Sequence, residues 1–359
     1  MSRKFLLLAG VVLAGKAAAD APNVAVDIAP VHALVAQVMD GVAEPSLIIP
    51  PGASPHDHAM RPSEARALQS ADVVFWVGPE LTPWMTGPLG ALSEGATQVE
   101  LLEVAGTVRH DFRDLADHHE GEEEHANHDD HDDHSDHDDH AKHDDHEDHA
   151  EHDDHAGHDD HADHDEHEKH EEHADHDAHD HDHGHDHDGV DPHAWLDPEN
   201  ARVWVQAIAE TLSEKDPDNA ARYQANADKA VEGLSALEAE IRADLAQSEL
   251  RFVTFHDAYQ YFERRFDLAS SGTVSLGDAS APGPARLAEL KARIAEEGID
   301  CAFSEPQYDT RLISAATEGM DVQILLLDPI GVALEPGPTL YPDLLRAMAA
   351  SFQACSGNS

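Results

Sequence analysis

The chain has 359 residues, with 74 acidic and 22 basic side chains and a formal net charge of −52. This balance argues against nucleic acid and anionic membrane surfaces as partners, because both require clustered Lys and Arg. It favours cations. The length allows two domains or lobes of ordinary size.

The N-terminus has the pattern of a secretory signal. Two basic residues, Arg3 and Lys4, are followed by a short apolar run over 5–14 and by small residues over 17–19. We predict a signal peptide over residues 1–19, with cleavage near Ala19/Asp20. The apolar run is too short to span a bilayer, so the product should be exported without membrane insertion. In an oxidising compartment the two cysteines, Cys301 and Cys355, are a natural pair.

The first part of the mature chain alternates strand-like and helical patterns. Helical patterns start at Pro30 and Pro62. Short apolar runs predict strands at 23–28, 46–49, 72–77 and 97–104. Such alternation is typical of a parallel sheet covered on both faces. We therefore predict an N-terminal α/β lobe over residues 20–216.

The last part of the chain repeats this alternation after a long helix. A helix capped by Asp197 precedes a pattern from about Asp218 to Gln247, on the order of 45 Å long, which we interpret as a spine over 217–248. Most of this spine lacks Gly, so we expect little lobe motion. Predicted strands then lie at 251–255, 301–303 and 322–327, and predicted helices at 259–266, 284–298, 309–319 and 341–354. The C-terminal lobe, 249–359, is thus also α/β.

A histidine-rich tract interrupts the first lobe over residues 117–188. Histidine recurs on every third residue from His125 to His179 and on every second residue to His187, with acidic residues and alanine between. Such a stretch cannot bury enough apolar surface to order itself. We expect a disordered loop that binds several metal ions weakly, and less well below about pH 6.5. A solubilising spacer, or a repeat expansion without selected function, is the alternative. The predicted weak ligands include His125, His128, His131, His179, His181, His183, His185 and His187.

Three histidines outside the tract share one context. His56 follows a Pro/Gly-rich turn after a strand, His193 precedes a helix, and His256 directly follows a strand. Ligands of open α/β sheets bind at the carboxyl ends of strands, and three imidazoles plus a carboxylate or water suit four-coordinate Zn(II). Asp328 ends another strand and is the natural oxygen ligand. Each histidine alone is more simply an ordinary loop residue, and their spacing does not prove convergence.

The motifs around these residues are long and occur in a fixed order. They read PGASPHDHAMRPSEARAL, DPHAWLDPENAR, FVTFHDAYQYFERRF, FSEPQ and LLDPIG. They resemble the zinc-uptake substrate-binding proteins of bacterial ABC transporters, of the helix-spine class, over essentially the whole mature chain outside the tract. The resemblance implies a periplasmic protein with two α/β lobes joined by one rigid helix and with the metal in the cleft between them. It also implies an acidic His-rich loop at this place and a Cys301–Cys355 disulfide.

The resemblance assigns His56, His193 and His256 as zinc ligands. Manganese-binding relatives have a Glu at the position of His256, so this chain favours zinc. Some zinc-binding members have a Glu before the first histidine, where this chain has Pro55. The fourth ligand is therefore Asp328, water or a tract histidine.

We thus expect a monomeric zinc-binding protein that delivers Zn(II) to a membrane permease driven by a cytoplasmic ATPase. One alternative is an exported zinc-buffering or zinc-sequestering protein that acts through the tract, and another is a manganese-binding relative. A zinc enzyme with Glu305 as base is disfavoured, because the sequence has no HExxH or GxSxG motif.

Overall fold

The computed structural model describes residues 21–113, 189–246, 250–275 and 283–356. These residues belong to one compact unit. The predicted signal peptide and the tract, with its proposed weak ligands, lie outside the described residues. We refer to 21–113 and 189–219 as the N-terminal half, and to 250–356 as the C-terminal half. The division into lobes at 216 and 249 remains a prediction.

The N-terminal half is built on a parallel sheet in the order β2-β1-β3-β4. Its central strands are apolar and fully buried, as expected for a parallel sheet covered on both faces. The strands are β1 (Val24–Val26), β2 (Ser46–Leu47), β3 (Val73–Trp76) and β4 (Thr97–Glu100). The helices are α1 (Ala29–Val38), α2 (Pro62–Gln69) and α3 (Thr86–Leu92).

Two local predictions for this half were wrong. The strand predicted at 97–104 ends at Glu100, and Leu101–Glu103 forms a 3-10 helix that buries Leu101 and Leu102. α3 and the 3-10 helix before it, Pro83–Met85, were not predicted. Their sequence contains Pro and Gly, which weaken a helical pattern.

A long helix follows α4 (Pro198–Lys215), whose first turn is capped by Asp197, as predicted. This long helix, α5 (Ala220–Leu245), has 26 residues and is about 39 Å long. It corresponds to the predicted spine. α5 packs against α1 and α4 of the N-terminal half and against α9 of the C-terminal half.

The C-terminal half contains a second parallel sheet in the order β5-β6-β7. The strands are β5 (Phe252–Val253), β6 (Cys301–Ser304) and β7 (Gln323–Leu326). The helices are α6 (Gln260–Phe266), α7 (Pro284–Glu297), α8 (Thr310–Ala316) and α9 (Leu340–Ser356). α7 ends at Gly298 as predicted, in a left-handed conformation that glycine adopts without steric cost. α8 ends before the predicted Gly319.

The two cysteines form a disulfide that joins β6 to α9. The Cα atoms of Cys301 and Cys355 are 5.9 Å apart and the residues are separated by 54 positions. Closing such a loop stabilises the folded state by roughly 4 kcal/mol in the chain-entropy model. The predicted pairing is confirmed.

The main apolar core is continuous across the two halves, and a second cluster lies between the C-terminal sheet, α7 and α8. Within the described parts of the chain, we find no helix with both the length and the apolar character needed to cross a membrane.

Candidate metal centre

The structure brings His56, His193 and His256 together. Their ring centroids are 5.3 Å (His56–His193), 6.1 Å (His56–His256) and 5.3 Å (His193–His256) apart. One ligand nitrogen of each ring lies within 4.8 Å of the others. The Nε2 atoms of His193 and His256 are 3.4 Å apart. Residues distant in sequence therefore form one cluster, to which the N-terminal half supplies two histidines and the C-terminal half one.

Each histidine is held by the element that carries it. His56 lies in the turn after β2, where the preceding Pro55 carbonyl accepts a hydrogen bond from Trp84 Nε1 at 2.8 Å. His193 directly precedes the 3-10 helix Ala194–Leu196, and His256 follows β5 closely. His193 and His256 are only 1% and 3% exposed, whereas His56 is half-buried.

The cavity beside the three rings is small, about 10 Å³. That is the space for about one water molecule or one ion. Organic ligands occupy pockets of roughly 300–1,000 Å³. The cavity is lined by Pro55, His56, His193, Trp195, His256, Glu305, Gln307, Tyr308, Pro329 and Ile330.

Two buried carboxylates orient the imidazoles. His193 Nδ1 lies 2.7 Å from Asp191 Oδ1, and His256 Nδ1 lies 2.7 Å from Glu305 Oε1. An ionised carboxylate only accepts hydrogen bonds, so this geometry assigns the proton of each ring to Nδ1. The lone pair is then on Nε2, available to a metal, as in carboxylate–histidine–zinc arrangements.

Asp328 is engaged elsewhere. Its Oδ1 accepts hydrogen bonds from the backbone N–H groups of Ile330 (3.1 Å) and Gly331 (2.9 Å), and its Oδ2 from that of Val332 (2.6 Å). Burial raises the pKa of the Asp328 carboxyl above its ordinary value, against the lowering effect of these three donors. Among the described residues, the candidate metal-binding group contains the three histidines and not Asp328. Its role as fourth ligand remains a prediction.

The other described histidines have different surroundings. His58 Nε2 lies 2.8 Å from Glu64 Oε2, and His32 Nε2 lies 3.0 Å from the Pro45 carbonyl oxygen. The His110 ring lies against Tyr261. None of these three belongs to the candidate metal-binding group found among the described residues.

Sequence reasoning missed the supports of the centre. Asp191 was not singled out, and Glu305 was considered only as the base of an enzyme. Both belong to the quoted motifs: Asp191 is two residues before His193, and Glu305 directly follows β6, the strand that pairs with β5. The available sequence signal was a carboxylate placed next to a candidate histidine, either two residues away or directly after the neighbouring strand.

The fold and the cluster together are typical of an α/β protein that binds a metal ion, and the three histidines form a group that could hold one. The family model described as "Zinc-uptake complex component A periplasmic" (ZnuA) matches residues 24–355. The high-affinity zinc uptake system protein ZnuA of Paracoccus denitrificans (strain Pd 1222) is 44% identical over 343 residues, which are 95% of this chain and 94% of the relative.

Solved structures show the same fold. A crystal structure of ZnuA has a TM-score of 0.67 at 18% identity and covers 94% of this chain and 100% of that chain. A 138–173 ZnuA deletion mutant with zinc bound has a TM-score of 0.66 at 18% identity, with 95% and 100% covered. The chain belongs to the ZnuA family of periplasmic zinc-uptake components. The predicted family, fold class and zinc-uptake function are confirmed, and the family is one of transport proteins that bind a substrate.

The two supporting carboxylates should matter for zinc affinity. We expect Asp191→Asn and Glu305→Gln each to weaken Zn(II) binding about 10–100-fold, because they orient the ligand rings. Competition with a chromophoric chelator measures this. Asp300→Asn is the matched control, since that carboxylate pairs with Arg251 away from the cavity. Unchanged affinity in both site variants would show that the carboxylates do not set the ring geometry.

Proposed function

We propose that the protein captures one Zn(II) ion with His56, His193 and His256 and delivers it to the permease of an ABC importer driven by a cytoplasmic ATPase. The observation that supports this most is the convergence of three imidazoles on a cavity of about 10 Å³. The family description supports the zinc-uptake role. In this proposal the protein is a monomer in the periplasm, and the mature chain begins near Asp20.

Zinc is the substrate that these donors favour. Imidazole nitrogens suit Zn(II), whereas Mn(II) prefers more oxygen ligands. Three histidines leave one tetrahedral position. We assign that position to water in the first place, since Asp328 does not belong to the group of converging ligand atoms. A tract histidine is the third option.

Delivery can use the division of the ligands between the halves. Zn–N bonds in proteins are about 2.0–2.1 Å long and tolerate little change. A small displacement of His256 relative to His56 and His193 is therefore enough to weaken binding. The permease would supply that displacement.

A metal-bound crystal structure with anomalous data at the zinc edge tests the ligand set directly. Titration calorimetry of a variant lacking the tract, residues 117–188, tests the role of the tract. We expect one tight Zn(II) site in that variant and additional weak sites only in the intact chain. Loss of tight binding with the tract would instead favour the zinc-buffering function.

A further inference from the structure

The two chain segments that flank the tract pair with each other. Asp111 and Val190 form an antiparallel bridge. The N–H of Phe112 donates to the Gly189 carbonyl at 3.0 Å, and the N–H of Asp191 donates to the His110 carbonyl at 2.8 Å. We call residues 110–113 and 189–191 the stem. The stem belongs to the N-terminal half, and its last residue is the carboxylate that orients His193.

One side chain of the stem reaches the C-terminal half with a double ion pair. The Arg113 guanidinium donates to Asp257 Oδ1 at 2.6 Å and to Glu263 Oε2 at 2.5 Å. Its Nε also donates to both oxygens of Asp257, at 3.0 and 3.1 Å. Glu263 is fully buried. Asp257 directly follows His256 in the chain, so this pair holds the backbone beside a proposed zinc ligand.

Two residues of the C-terminal half contact both strands of the stem. Gln260 Nε2 donates to the Asp111 carbonyl and to Asp191 Oδ2, each at 3.1 Å. The Tyr261 hydroxyl accepts from the N–H of His110 at 3.0 Å and donates to the Asp191 carbonyl at 2.8 Å. The stem is thereby fixed to the first turn of α6.

We propose that the stem is a clasp between the halves, in which Arg113 is a positioning residue that keeps His256 in register with His193 and slows Zn(II) release. This inference rests on the proposed function of the three histidines. The clasp acts on one ligand from each half: Asp191 holds His193, and Arg113 holds Asp257 beside His256. The three ligands meet only if the distance between the halves is maintained. The clasp fixes this distance close to the ligands, whereas α5 joins the halves through its packing against their helices.

The geometry of the guanidinium is essential to this role. Its planar fork engages two carboxylates at once, which the single ammonium of lysine does not reproduce. Arg113→Lys therefore keeps the charge beside the buried Glu263 but loosens the hold on Asp257. We expect Zn(II) to be released about tenfold faster, the lower end of the effect of removing a group that supports a ligand.

The test measures Zn(II) release into excess chelator, and the absorption spectrum of the Co(II)-substituted protein, for the wild type and Arg113→Lys. Arg251→Lys is the matched control, because Arg251 also grips one carboxylate, that of Asp300, through Nε and Nη2 but lies on the surface. Faster release and an altered Co(II) spectrum in Arg113→Lys, with neither change in Arg251→Lys, support the clasp.

A second variant guards against a merely structural effect. Asp257→Asn leaves the Arg113–Glu263 pair intact and weakens only the link beside His256. Thermal unfolding of both variants in the metal-free state shows whether they fold. Folded variants with wild-type release rates and Co(II) spectra would overturn the clasp. If the wild type itself bound no Zn(II) tightly, the proposed function would fail instead.

Discussion

Replacing His256 by alanine should lower the affinity for Zn(II) by about two to three orders of magnitude. Structural zinc sites bind with roughly 10–16 kcal/mol, or about 2.5–4 kcal/mol for each of four ligands. A tenfold change in affinity corresponds to about 1.4 kcal/mol. The same substitution leaves Glu305, which is 1% exposed, without the ring that its Oε1 contacts. The effect should therefore be larger than that of either carboxylate variant.

The measurement is best made in the variant lacking residues 117–188, in which no tract histidines compete for metal. Competition with a chelator of known affinity gives the dissociation constant. His32→Gln is the control, since it also removes a buried imidazole, one that contacts the Pro45 carbonyl instead of the cluster. An affinity equal to that of the parent in His256→Ala would show that this histidine is not a ligand.

Local sequence patterns predict most of the fold because the strands and helices carry their own signals. The apolar runs of β1 and β3 and the long pattern of α5 needed no tertiary information. Predicting the end of β4 did require tertiary information, because a 3-10 helix buries Leu101 and Leu102 as well as a longer strand would. α3 was missed for a related reason: packing stabilises a short segment, TGPLGAL, whose intrinsic helix propensity is low.

The site was predictable in its ligands but not in their support. Motif resemblance indicates three histidines, yet the contacts that orient them join residues far apart in the chain: His256 and Glu305 differ by 49 positions, and Arg113 and Glu263 by 150. Asp328 shows that a carboxylate expected to bind metal can instead accept hydrogen bonds from its own loop. An Asp before a tight turn can accept from nearby backbone N–H groups, and Asp328 does so with residues two to four positions later.

The halves are joined by more than the long helix. Besides the stem, Arg265 of α6 grips Asp197 at 2.7 and 2.8 Å, the residue that caps α4. Asp197 is 3% exposed and Arg265 is half-buried, so this pair is partly shielded from solvent. Such links support the expectation of small motion between the halves, which remains a prediction.

A second large effect should come from Asp27, at the end of β1. We expect the metal-free protein to lose about 4 kcal/mol of stability, relative to Asp27→Asn, between about pH 4 and pH 7. Asp27 is fully buried, and its carboxylate accepts from the N–H groups of Ile28 and Val77, each at 2.7 Å. Burial raises the pKa of this carboxyl from 3.8 to about 7, although those two donors act to lower it.

The direction follows from proton binding. Between about pH 4 and pH 7 the unfolded chain has released the Asp27 proton while the folded chain retains it. The folded state therefore binds more protons, and its free energy of unfolding falls as the pH rises through this window. The magnitude follows from about 3 pH units at about 1.4 kcal/mol each. Above about pH 7 the difference between wild type and variant should become constant.

Denaturant unfolding of both proteins across this pH range, with chelator present, measures the difference at each pH. Taking the difference cancels the titration of the many other carboxyl groups and histidines, which the two proteins share. Asp40→Asn removes an exposed carboxyl at the end of α1 and controls for the change in net charge. If the wild type and Asp27→Asn showed parallel pH profiles, the carboxyl of Asp27 would titrate alike in the folded and unfolded chains. Burial at the end of β1 would then impose no cost on its ionised form.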